Sequence, residues 1–191
     1  MKNISFFIIL FSIFCQSQNN YTSAELIEKS ELQYKNQLEN SIVKNIQFVN
    51  IGPSVMSGRV TDIEVNPKNS TEFYVAYASG GLWHTINNGT TFEPIMDNSI
   101  TQNIGDFAID WESKTIFVGT GESNSSRSSY PGIGVIKSTD NGKTWQNVGL
   151  RDSHHVSRIL INPKDNQHIV CLLYTSPSPR DLTTSRMPSS A

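Results

Sequence analysis

The feature that most constrains this chain is a repeat. The stretches "FVNIG" (48–52), "FEPIM" (92–96) and "WQNVG" (145–149) each place an aromatic residue, two variable positions and then an aliphatic residue. A second set, "VTDIEVNPKN" (60–69), "IGDFAIDWES" (104–113) and "VSRILINPKD" (156–165), alternates apolar and polar residues before running into Asn or Asp and a turn. Two further strands fit between these sets. They are "EFYVAYAS" (72–79) with "TIFVGTGE" (115–122), and "GGLWHTI" (80–86) with "IGVIKST" (133–139).

One repeat spans about 44 to 53 residues and holds four short strands, which is the period and content of a β-propeller blade. The expected fold is all-β: a partial β-propeller of four-stranded blades, the N-terminal fragment of a larger ring. Residues 46–170 supply a clasp strand (46–51), two blades and the start of a third.

The octet "STDNGKTW" (138–145) gathers residues that elsewhere support catalysis, yet its place in the repeat makes it a turn. "TINNGTTF" (85–92) stands at the same place in the preceding repeat. Gly142 and Gly89 supply the positive φ of a tight hairpin. Asp140 and Asn87 accept backbone hydrogen bonds across it, and Ser138 and Thr85 open it. Trp145 and Phe92 begin the outer strand with a large apolar side chain to bury. A carboxylate in one copy and an amide in the other argues for structure.

These octets carry a resemblance. Ser-x-Asp-x-Gly-x-Thr-Trp is similar to the Asp-box, or bacterial neuraminidase repeat, of sialidases and sortilin-type propellers. The stretches "SGRVTDIEVNP", "ASGGLWHTINNGTTFEPI", "VGTGESN" and "GVIKSTDNGKTWQNVGLRDSHH" resemble exported bacterial proteins with a sortilin N-terminal-like propeller, often labelled glycosyl hydrolases. The resemblance covers roughly residues 46 to 170. It implies that the octet turns are fold elements remote from any active centre.

The flanks read differently. Residues 1–17 hold Lys2 and an apolar run from Ile4 to Phe14, too short to span a bilayer and suited to a signal peptide cleaved after Ser17. A secreted or cell-surface location follows, with no membrane span in the mature chain. Residues 18–45 form a helical lead-in or linker, with a helix from Ser23 to Asn40 opened by a Thr22/Glu25 capping box. Its apolar stripe is thin: Leu26, Ile27, Leu32 and Leu38. Residues 171–191 have no apolar period and match translated sequencing-library adapter, with a variable index at Leu182 to Thr184. They are expected to be a non-native tail. Cys15 leaves with the signal peptide and Cys171 with the tail, so no disulfide or thiolate chemistry is expected.

In a propeller the loops before the first strand and between the second and third share one face. That face collects Arg59, Glu122, Arg127, Tyr130, Arg151, Asp152, His154 and His155 as binding candidates, and the insertion "ESNSSRSSYP" (122–131) lies on it. Paired carboxylates support glycoside hydrolysis only at a suitable separation, and Glu122 and Asp152 lie in neighbouring blades. Arg59 sits where an early sialidase arginine would, but "SGRV" replaces the Phe/Tyr-Arg-Ile-Pro signature. His154 and His155 point to opposite sides of an extended segment, so no metal and no cofactor are expected. Asp62 and Asp106 recur at matching strand positions, which suggests a structural role. "VGTGES" lacks phosphate-loop spacing. A net charge of −2 gives no reason to expect nucleic acid.

Two functions fit: an exported propeller binding extracellular protein, peptide or polysaccharide through its loop face, or a secreted exo-sialidase-like or xyloglucanase-like glycoside hydrolase. A purely structural module in a large surface protein is a third.

Overall fold

The structure is a computed structural model that describes residues 22–46, 58–123 and 130–174. The signal segment, the clasp strand after Ile46, Arg127 and residues 175–191 lie outside the described residues.

Two four-stranded antiparallel sheets and a third, two-stranded one follow each other along the chain. The first blade is β1 (Val60–Val65), β2 (Phe73–Tyr77), β3 (Gly81–Thr85) and β4 (Glu93–Pro94). The second is β5 (Ile104–Asp110), β6 (Thr115–Thr120), β7 (Val135–Ser138) and β8 (Gln146–Gly149). In both, spatial order equals chain order, as in a propeller blade. β4 is only two residues long because Pro94 cannot donate to a ladder, which an edge strand tolerates.

The third sheet pairs β9 (His155–Asn162) with β10 (Asp165–Tyr174). The strand runs through Cys171, four residues past Val170. The cause is alternation. Ile169, Cys171 and Leu173 face the second blade and pack on Ala108, Phe117, Val135, Val156 and Ile159, while Val170 and Leu172 face away.

A blade is apolar on both faces, so its core is the seam with a neighbour. The seam between the first two blades holds Tyr74, Ala76, Leu82, Met96, Ile104, Phe107, Ile116, Val118, Ile133 and Ile136. Each large side chain buried there contributes about 1.5–3 kcal/mol. Tyr74 is fully buried, stacks on His84 with ring centroids 4.2 Å apart, and meets Trp111 at 5.4 Å and Phe107 at 6.5 Å. Its hydroxyl donates to Asn141 Oδ1 in the octet of the second blade. Trp145 of that octet donates its indole N–H to the Ile95 carbonyl at 3.1 Å. At Gly142, a Cβ would stand 2.7 Å from Ile95 Cβ. The octet is therefore also a contact between blades.

Inside the octet, Ser138 Oγ donates to Asp140 Oδ1 (2.8 Å) and accepts from the Gly142 amide (2.9 Å), while Asp140 Oδ1 accepts from the Thr144 amide (2.9 Å). The first blade repeats this with Thr85, Asn87, Gly89 and Thr91 at 3.0, 3.1 and 3.0 Å. Asn88 and Asn141 share positive φ, 57° and 61°, ahead of their glycines.

Helix α1 (Ala24–Glu39) is capped by Ser23, whose Oγ accepts from the Leu26 amide at 3.4 Å. The expected capping box at Thr22 is thereby displaced by one residue, and Glu25 stays in the first turn, where the helix dipole favours it. Leu26, Leu32 and Leu38 are exposed, whereas Ile27 packs against the first seam. The two ends of the described arc carry exposed apolar rows. Val60, Ile63 and Val65 form one, and Leu160, Val170 and Leu172 the other.

The two octets should separate by acid. Bonds from Thr144 and Ser138 hold the Asp140 carboxyl at about 2, below its ordinary 3.8. A depressed native pKa gives stabilisation above pH 3.8 that is lost as pH falls toward 2. Amide exchange at Gly142 and Thr144, corrected for intrinsic rates, should speed up across that window, while Gly89 and Thr91 stay flat. Asp140→Asn should flatten the second octet too, and Asp140→Ala should open it at every pH.

Candidate functional site

Strand register defines two rims. Val60, Tyr77 and Gly81 lie level at one end of the first blade, and Val65, Phe73 and Thr85 at the other, beside the octet. The loop-side rim is laced by backbone both within blades and between them. The Ala78 amide donates to Arg59 O (2.8 Å), Ile104 to Ala78 O (3.1 Å), Gly121 to Asn103 O (3.0 Å) and Gly132 to His154 O (2.7 Å). Glycines make this approach feasible. A Cβ on Gly105 would stand 2.0 Å from Val156 O, and one on Gly121 would stand 1.9 Å from His154 O. Gly121 has φ 86°, open to glycine at little cost. The glycines of "VGTGES" thus serve blade-to-blade contact.

Arg59 enters this rim just before β1 and Glu122 just after β6. Arg59 Nε donates to Glu122 Oε1 at 2.8 Å, and Nη2 donates to the same oxygen. The Glu122 side chain is 2 % exposed and that of Arg59 48 %, so a buried carboxylate anchors a half-exposed guanidinium. The Glu122 amide donates to Tyr130 O at 3.3 Å, which brings a half-exposed Tyr130 alongside. His155 opens β9 beside Glu122. Burial lowers its pKa, and Glu122 opposes that shift. Its Nδ1 is buried without a hydrogen bond. His154, its neighbour, holds Gly132 through its carbonyl.

Five sequence candidates therefore meet here: Arg59, Glu122, Tyr130, His154 and His155. Two do not join them. Arg151 turns to helix α1, with Nη1 3.8 Å from Glu31 Oε2, and Asp152 is exposed. The pairing of Glu122 with Asp152 is replaced by the ion pair of Glu122 with Arg59. Among the described residues no cluster of His, Cys, Asp or Glu has the makings of a metal site, and no helix is long and apolar enough to cross a membrane.

A second group lies on the inner strands. Asp106 is 2 % exposed, and its Oδ2 accepts from the Ile159 amide at 2.7 Å. Arg158 Nη1 reaches Asp106 Oδ1 at 3.4 Å and stands 4.0 Å from Asp62 Oδ2. Asp62 and Asp106 recur in the sequence, but Arg158 escaped notice. Its signal was the same register position in the third repeat, with the charge reversed.

No known protein family matches the sequence, and no curated protein matches it. Among solved structures, a GH74 enzyme from Niastella koreensis shares 24 % identity over 58 % of this chain with a TM-score of 0.46. An ancestral GH74 enzyme shares 18 % over 59 % with a TM-score of 0.44. The matched part is 16 % of the length of each of these enzymes.

The Arg59–Glu122 pair should be structural for the rim. Arg59→Met leaves Glu122 buried without the two donors Arg59 supplies, a deletion whose cost in wholly buried pairs is about 3–5 kcal/mol and is smaller here because Arg59 is half exposed. Amide exchange at Gly121 and Glu122 should rise in that variant. In Arg59→Met combined with Glu122→Leu it should fall back toward the parent.

Proposed function

We propose that the chain belongs to an exported Asp-box propeller of sortilin-like type and binds protein, peptide or glycan through the loop-side rim. The reading rests above all on one observation: the two buried carboxylates, Glu122 and Asp106, are committed to holding the fold. Glycosidases keep two carboxyl groups roughly 5–5.5 Å apart for retention or 6.5–9.5 Å apart for inversion, with room for sugar between them. Glu122 is buried and occupied by Arg59. Asp106 is tied to the Ile159 amide, and it shares Arg158 with Asp62.

What the rim does offer is recognition. Arg59 presents a half-exposed guanidinium already oriented by its partner, and Tyr130 presents a half-exposed ring. Such a surface suits planar and polar groups of peptides or sugars. The octets support the Asp-box reading, and the apolar run behind Lys2 supports export.

The alternative, a secreted glycoside hydrolase, predicts turnover. The test is to incubate the purified protein with xyloglucan and with a fluorogenic sialoside, and in parallel to measure retention on immobilised polysaccharides and a peptide library. The expected result is retention on one of these matrices, weakened at least about tenfold by Arg59→Met or Tyr130→Ala, the size of one lost interaction of about 1.4 kcal/mol. Release of sugar with multiple turnovers would overturn the proposal in favour of the hydrolase.

A further inference from the structure

The inner strands carry one register position through three successive repeats: Asp62 in β1, Asp106 in β5 and Arg158 in β9. All three converge. Asp106 is buried, bonded through Oδ2 to the Ile159 amide and through Oδ1 to Arg158. Arg158 Nη1 lies 3.4 Å from Asp106 Oδ1 and 4.0 Å from Asp62 Oδ2, so the two carboxyl groups flank one nitrogen. Asp62 Oδ2 is buried and finds no donor, because Arg158 stays 4.0 Å away and an ionised Asp106 has none to give.

The charges do not balance. Asp62 and Glu64 approach from β1 and Arg158 from β9, while β6 places Gly119 opposite Asp106. Three carboxyl groups thus share one guanidinium, itself 55 % exposed. Two carboxylates flanking one nitrogen cannot both be ionised without repulsion, whereas one proton between them supplies the missing donor and removes a charge.

We propose that Asp62 and Asp106 hold a single shared proton and form a pH-sensitive clasp that joins the inner strands of three successive blades. With the proton in place, Asp62 Oδ2 is satisfied and Asp106 stays on the Ile159 amide. With it gone, the two carboxylates repel across the first seam and the hold on β9 slackens. Burial, reinforced by Asp62, pushes the Asp106 carboxyl up to about 7 against the bond from Ile159. The sign follows from a native value raised above the ordinary 3.8. The clasp is at full strength below that pH, weakens as pH rises toward 7, and changes no further above it.

The experiment is amide exchange at Ile159 and its β9 neighbours from pH 5 to 8, corrected for intrinsic rates, on the full chain. Protection in the parent should fall with pH by up to about tenfold per unit and level off above about 7, the limit for release of one proton. Asp106→Asn carries an amide that accepts from Ile159 and donates to Asp62, so its profile should be flat and high. Asp62→Asn, which gives Asp106 a donor that cannot be lost, should also be flat and guards against a misfolded first variant. His155→Gln controls for the imidazole beside β9 and should keep the parental slope. A flat parental profile would overturn the proposal, as would an unchanged slope in both Asn variants or loss of the slope in His155→Gln.

Discussion

A propeller blade cannot stand alone, and everything else in this chain follows from that constraint. Its sheet is apolar on both faces, so each strand must supply residues to two seams at once. β5 shows how. Phe107 turns to the first seam and Ala108, the next residue, to the second. The pleat delivers this alternation without special sequence, provided neither side is polar. Tyr74 is the place where the seam is most specified. Its ring contacts three aromatic neighbours and its hydroxyl crosses to Asn141, 67 residues on, in the turn of the next blade.

Much of the architecture was legible because it is local and repeated. Alternation marked the strands, and paired octets with Asn-Gly at their tips marked the hairpins. The Asp140/Asn87 exchange already identified a turn, and the shared bonding of Ser138 and Thr85 gives the physical reason. One local reading missed. Ser23 outcompetes Thr22 as the helix cap, a choice between adjacent hydroxyl residues that pattern does not decide. Cys171 and Leu173 continue the inward face of β10 and meet Phe117 and Val135.

The site was legible only in part, and for a different reason. Membership of the loop-side rim follows from topology, so Arg59, Glu122, Tyr130, His154 and His155 were found together. Who pairs with whom depends on the angle between blades, which no single repeat encodes. Arg59 and Glu122 are 63 residues apart, and Arg158 and Asp106 are 52 apart. The rim and the inner wall therefore divide the labour. Buried carboxylates hold blades together, while a half-exposed cation and an aromatic ring stand on the rim.

The central claim is that successive blades pack through the Tyr74 seam with the octet of the second blade closing over the first. It is tested most directly by nuclear Overhauser contacts between blades. The structure predicts cross-peaks from the Trp145 indole N–H to Ile95 and from the Tyr74 ring to Phe107 and Trp111. If both sets are absent while each octet still shows its own internal contacts, the blades do not pack as described.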